Sequence, residues 1–139
     1  MSREGVEVVR RVYSEGQLLT SSPEQIDRVF QDYLDEGFEF RLPSDYPEGQ
    51  LMFRGREGAD QLNAMLRETW SEWRFEPDRF IDAGDQVVVF ARLLGRGGSS
   101  RVPFELETTH VWTLRAGRAI SIQVYRERSQ ALDAAGLSE

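Results

Sequence analysis

The stretch Phe75–Arg126, FEPDRFIDAGDQVVVFARLLGRGGSSRVPFELETTHVWTLRAGRAISIQVYR, decides the fold. It reads as three long strands joined by tight turns. Val87, Val88, Val89 and Phe90 follow the turn Asp82-Ala83-Gly84-Asp85. The tip Gly95-Arg96-Gly97-Gly98-Ser99-Ser100 then reverses the chain into Phe104–Leu114. A second turn, Arg115-Ala116-Gly117-Arg118, leads into Ala119–Tyr125. Glycine at such tips supplies the positive φ that hairpins need. Helical segments precede this meander, so the order is helices first and then a long antiparallel sheet. That order predicts an α+β cone, a curved antiparallel sheet packed on N-terminal helices and enclosing a pocket.

Working outward, Ser22 followed by Pro23 and Gln25 is an N-cap, a proline at the first helical position and a capping-box partner. Ile26, Val29, Phe30, Tyr33 and Leu34 recur at helical spacing, and Gly37 is expected to end that helix. Phe38–Leu42 then alternates like a strand. Upstream, Val6, Val8, Val9, Val12 and Tyr13 mark a first helix ending near Gly16. Pro43–Gln50, with two prolines and a glycine, reads as a loop, and Leu51-Met52-Phe53 as a short extended piece. Ala59, Leu62, Met65, Leu66, Trp70 and Trp73 predict one face of a third amphipathic helix. Ser129–Ala135, closed by Gly136, predicts a short terminal helix. No repeat or linker divides the chain, and residues 1–139 read as a single domain.

Composition narrows the function classes. At 139 residues, 40% apolar and with 15 aromatic side chains, the chain can build one core. The formal charge is −7 and the 17 basic residues, all arginine, are scattered, which argues against nucleic acid. There are no cysteines, hence no thiolate chemistry, and a single histidine makes a His-based metal site improbable. No apolar run approaches membrane-spanning length and no signal segment opens the chain, so the expectation is a cytoplasmic protein with no membrane role. The spacing Gly55–Gly58 lacks the Gly-Lys-Ser/Thr of a phosphate loop.

The order of these pieces resembles the SnoaL-like branch of the nuclear transport factor 2-like superfamily. The resemblance is carried by Glu7-Val8-Val9-Arg10-Arg11-Val12-Tyr13, Phe38-Glu39-Phe40-Arg41-Leu42-Pro43 and Gly55-Arg56-Glu57-Gly58, then by Phe80-Ile81-Asp82-Ala83-Gly84-Asp85. His110-Val111-Trp112-Thr113-Leu114, Gly117-Arg118, Val124-Tyr125 and Ala131–Gly136 complete it. It spans nearly the whole chain, and it is specific for fold rather than activity, because this scaffold hosts enzymes, binders and dimerisation modules.

The proton-transfer positions of the family can be checked against this chain. The aspartate base that ketosteroid isomerases carry before a strand-ending proline falls on Leu42. Their proton-donating aspartate falls on Thr109, and their helix-one tyrosine on Val12, with Tyr13 turned by about 100°. A carboxylate base and a neutral acid are what that isomerisation needs, so no ketosteroid isomerase activity is expected. The histidine and aspartate that SnoaL-type cyclases carry two apart on the last strand fall on Ile122 and Val124. A histidine on the preceding strand of those cyclases matches His110. In the Asp-Arg-Asp arrangement of related epoxide hydrolases, Arg92 would take the arginine's place.

His110 and Glu107 are therefore the candidate catalytic groups, the first because it titrates near neutrality without help. Each has a plainer alternative: a histidine packed on the sheet, and a cross-strand salt bridge with Arg92. Strand Phe104–Leu114 has two faces. Burial alone places Phe104, Leu106, Thr108, His110, Trp112 and Leu114 under the helices. Carry-over from the isomerases instead places Thr109 and Glu107 in the pocket, and a bulge could switch faces midway. The carry-over register is preferred. On it, Phe40, Leu42, Leu62 and Trp70 line the pocket together with Val88, Phe90 and Arg92. Thr109 and Val111 join them, as do Ile122 and Val124. The Phe104-Leu106-Trp112 face is then left for a homodimer formed through the sheet.

The functional expectation is a pocket protein for a hydrophobic or polyketide-like compound, with acid-base chemistry that requires neither metal nor organic cofactor. The alternative is a non-catalytic ligand-binding or dimerisation module of the same fold.

Overall fold

The computed structural model describes residues 2–15, 22–43 and 51–137, so the expected helix end at Gly16 and most of the loop after Pro43 lie outside the described residues. In chain order the elements are α1 (Ser2–Glu15), α2 (Pro23–Asp32), β1 (Leu34–Arg41), β2 (Met52–Arg54), α3 (Gly55–Thr69), β3 (Trp70–Ala83), β4 (Gln86–Gly97), β5 (Pro103–Arg115), β6 (Arg118–Tyr125) and α4 (Arg128–Ala134). The six strands form one curved sheet in the order β2-β1-β6-β5-β4-β3. Helices lie against its concave side and α4 against its other side, which is the expected α+β cone.

Local chemistry explains several boundaries. The capping box of α2 forms as read: the Gln25 amide donates to the Ser22 hydroxyl, and the Ser22 amide donates to the Gln25 side chain at 3.0 Å. The helix stops at Asp32, earlier than the expected Gly37. Arg118 accounts for this, because its guanidinium donates to the carbonyls of Phe30 and Leu34 at 3.0 and 3.2 Å. A cation at the last turn satisfies carbonyls that no further helical turn would use. Leu34 is thereby free to open β1, where it pairs with Ala119.

That β1–β6 pairing is parallel, so the sheet is mixed and not wholly antiparallel as expected. Phe75–Arg126 also holds four strands and not three, because its first residues belong to β3. This strand begins at Trp70, so Trp70 and Trp73 leave the third helix to which their spacing assigned them. They pair instead opposite Gly97 and Gly95 of β4. β3 is an edge strand, which accommodates Pro77 and the irregularity between Pro77 and Arg79.

Glycine is required at two kinds of place. Gly117 has φ +80° in the β5–β6 turn. At the start of α3, a Cβ on Gly58 would lie 2.7 Å from the Phe53 carbonyl carbon.

The main core lies between the helices and the concave face, gathering Val9, Val12, Leu34, Phe38, Leu62 and Trp112 among others. A smaller cluster joins Val88, Phe90 and Val111 on the opposite face to Ala131 and Leu132 of α4. No described helix is long and apolar enough to cross a membrane.

Candidate functional site

Strict alternation along β5 fixes the site. Leu106, Thr108, His110 and Trp112 all point to the concave side, where they border a cavity of about 220 Å³. β6 continues the same wall with Ile122 and Val124, which sit opposite Trp112 and His110. From the other side, α1 contributes Val12 and Tyr13, and α3 contributes Leu62 and Leu66. Phe40, Leu42 and Pro43 close one flank; Trp70, Phe75 and Leu93 close the other. Nearly all of this lining is hydrocarbon or aromatic.

The polar groups of the cavity are few. His110, 1% exposed, is the buried imidazole of the wall. Its Nδ1 lies 2.6 Å from the Tyr13 hydroxyl, which also accepts the Trp112 indole N–H at 3.0 Å. The three rings are mutually packed: Tyr13 is coplanar with His110 to within 2°, and Trp112 meets Tyr13 edge-on at 5.7 Å. Phe75 stands perpendicular to the imidazole at 4.9 Å. Burial lowers the His110 pKa to about 3, so the ring is neutral at ordinary pH. Burial likewise pushes the Tyr13 phenol well above its usual range, with the Trp112 hydrogen bond pulling weakly the other way. At the mouth stand Arg41, Glu107, Tyr125 and Arg126. Arg41 is engaged by Glu39, its Nε donating at 3.0 Å.

Of the residues named from sequence, Phe40, Leu42, Leu62, Trp70, Ile122, Val124 and His110 border the cavity. Glu107 reaches only its rim and is exposed. Five others need correction. Val88, Phe90 and Val111 face away and pack under α4. Thr109 lies between Phe90 and Tyr125 on the same turned-away side of the sheet. Arg92 is also on that side and, although opposite Glu107, pairs with Asp78 at 3.0 Å and Glu76 at 3.3 Å.

The reason is burial: the strand face with Trp112, His110 and Leu114 is the bulkier and less polar one, and it goes under the helices. The carry-over register is reversed. Of the face on which a homodimer was argued, Phe104 and Trp112 pack within the chain, whereas Leu106 is 53% exposed.

Sequence reasoning missed Tyr13 as a partner of His110. The only available signal was its place one step from Val12, and both residues reach the cavity. It also missed Phe75, Leu93 and Thr108, although for Thr108 the burial argument pointed the right way.

Among the described residues no group of acidic, histidine or cysteine side chains could hold a metal ion. The arrangement offers an apolar container with one hydrogen-bonded imidazole in its wall.

Residues 9–122 match the family model of the SnoaL-like domain. Among solved structures, a candidate SnoaL-like polyketide cyclase from Jannaschia sp. CCS1 is similar with a TM-score of 0.72 and 23% identity, covering 99% of this chain and 95% of that one. A nuclear transport factor 2-like protein of unknown function from Burkholderia pseudomallei has a TM-score of 0.73 at 20% identity, covering 96% and 97%. TerC, co-crystallised with polyporic acid, also has a TM-score of 0.73 at 20% identity, covering 96% and 98%. At these identities the structures establish the fold alone. No functionally curated protein matches.

Proposed function

Because the chain belongs to the SnoaL-like domain family, we propose that it is a small-molecule pocket protein whose cavity takes a hydrophobic, ring-bearing compound of the polyketide-like kind. The observation that carries this reading is the cavity itself: about 220 Å³ bounded by Phe40, Leu66, Trp70, Phe75, Trp112 and other apolar side chains. Concave, mostly apolar sites with a few placed polar groups are the usual form of small-molecule sites. The polyporic acid with which TerC was co-crystallised supports a ligand of this sort.

Binding is favoured over acid-base catalysis by the state of the two candidate groups. His110 is held neutral by burial, and Glu107 stands exposed at the rim. Proton transfer to or from the bound compound is the second reading, and it rests on His110 alone.

Trp70 and Trp112 in the wall make binding observable by tryptophan fluorescence. Titration with fluorene or polyporic acid should give saturable quenching. Leu66→Trp, which fills the cavity from α3, should abolish it while leaving the circular dichroism spectrum unchanged. If neither compound binds, or if the folded Leu66→Trp protein binds as well as the parent, the cavity is not the ligand site.

A further inference from the structure

We propose that the Trp112–Tyr13–His110 chain fixes His110 as a hydrogen-bond donor through Nε2–H, so that the cavity selects ligands presenting a ketone or quinone oxygen to that atom. This rests on the small-molecule reading above and adds the polar group the ligand must carry.

The direction of the chain follows from donor chemistry and distance. An indole nitrogen only donates, so Trp112 Nε1–H gives its hydrogen to the Tyr13 oxygen at 3.0 Å. The next contact, Tyr13 hydroxyl to His110 Nδ1, is 2.6 Å. At 2.6 Å the contact is shorter than N–H donors usually make, about 2.7–3.2 Å, which favours the hydroxyl as the donor. A phenol oxygen that already accepts one N–H is also a poorer second acceptor and a better donor, because each bond polarises the next. Nδ1 therefore accepts. In a neutral imidazole the remaining hydrogen then belongs to Nε2.

That nitrogen is buried and has no hydrogen-bond partner among the described residues. Phe75, perpendicular to the ring at 4.9 Å, is at best a weak π acceptor for it. Of the other side chains that line the cavity, Val12, Leu93, Ile122 and Val124 offer no acceptor, and the hydroxyl of Thr108, two residues along the same face, makes no hydrogen bond to that nitrogen. A buried donor left unpaired is costly, and a ligand oxygen that meets it recovers that cost. A carbonyl oxygen fits because it accepts without needing to donate in return. His110 in this state touches the ligand as a donor, while Tyr13 and Trp112 act through it as positioning residues. The same state removes Nε2 as a proton acceptor, so a base at this atom is ruled out for as long as the chain of bonds persists.

The single histidine of this chain makes the test direct. With isotope-labelled histidine, a long-range proton–nitrogen correlation spectrum of the wild-type protein at neutral pH should show protonated Nε2 and bare Nδ1. A bare Nε2, an equal mixture or an imidazolium would overturn the proposal without any variant being made.

Ligand selection is read with fluorene and 9-fluorenone, which share a shape and differ by one carbonyl. Fluorenone should bind roughly three- to tenfold more tightly than fluorene, the scale of one neutral hydrogen bond. His110→Phe should erase that ratio while retaining fluorene. An equal ratio in the wild type, or a ratio that survives His110→Phe, refutes the donor role. Failure of fluorene itself to bind refutes the pocket reading instead, and the two failures are thereby separated.

Discussion

Lowering the pH should destabilise this protein through His110 well before its carboxylates are protonated. In the unfolded chain the imidazole titrates near 6.5, whereas burial lowers it to about 3 in the folded protein. Between those values the unfolded state binds a proton that the folded state refuses, so stability rises with pH across that window and falls as pH drops through it. Each pH unit inside the window is worth about 1.4 kcal/mol. At pH 5, where the unfolded imidazole is already charged and the folded one is not, the loss relative to pH 7.5 is therefore about 2 kcal/mol. That is a large share of a total of about 5–15 kcal/mol.

The assay is urea unfolding followed by tryptophan fluorescence at several pH values, for the parent and for His110→Gln. The variant keeps every carboxylate and loses only the imidazole, so the difference between the two slopes isolates His110. Between pH 7.5 and 5 the parent should lose about 2 kcal/mol more than the variant. Parallel slopes would show that the folded imidazole takes up its proton as readily as the unfolded one, and the buried, neutral site described above would not exist.

Two further substitutions probe the same architecture. Tyr13→Phe keeps the ring packing but leaves the Trp112 indole N–H and His110 Nδ1 without the hydroxyl they share. Chemical denaturation should show a loss of about 2–4 kcal/mol, the cost of two buried polar groups losing partners. A change below about 0.5 kcal/mol would mean that those bonds contribute little in solution. Gly58→Ala places a Cβ 2.7 Å from the Phe53 carbonyl carbon, which is backbone and cannot swing aside. Thermal unfolding should show destabilisation of about 1–3 kcal/mol from overpacking, and an unchanged or raised midpoint would contradict the close approach of β2 and α3.

What the sequence disclosed and what it concealed divide along the range of the interactions. The α2 start was legible because Ser22, Pro23 and Gln25 settle it among themselves. Its end was not, because Arg118, some 85 residues away, takes the carbonyls of Phe30 and Leu34. Trp70 and Trp73 are three apart, a spacing equally compatible with continuing α3. Only their pairing with Gly97 and Gly95 across the edge of the sheet assigns them to β3. The parallel β1–β6 contact likewise has no local signature. The face of β5 was a different kind of error. The residues themselves pointed the right way, since Trp112, Leu114 and His110 share a side, and the analogy with a catalytic relative pointed the other way. The apolar area of that face outweighs anything a polar Thr109–Glu107 face could offer beneath the helices.

The reversal of that face also changes what the missing proton carriers mean. Leu42, Ile122 and Val124 occupy the places where the family resemblance would put an aspartate, a histidine and an aspartate, and all three border the cavity. A charged group at the place of Val124, which sits opposite His110, would have drawn water toward the imidazole. Hydrocarbon at the same three places keeps the wall apolar, and burial in it is what holds His110 neutral. The loss of acid-base residues and the suppressed basicity of the histidine are thus one physical fact seen twice. In such a wall a hydrogen bond is worth more than in water and an unpaired donor costs more. On the proposal made above, selectivity reduces to shape plus one donor, held in place by a tyrosine from α1 and a tryptophan from β5. On that proposal, ligands are told apart by whether an oxygen meets the imidazole.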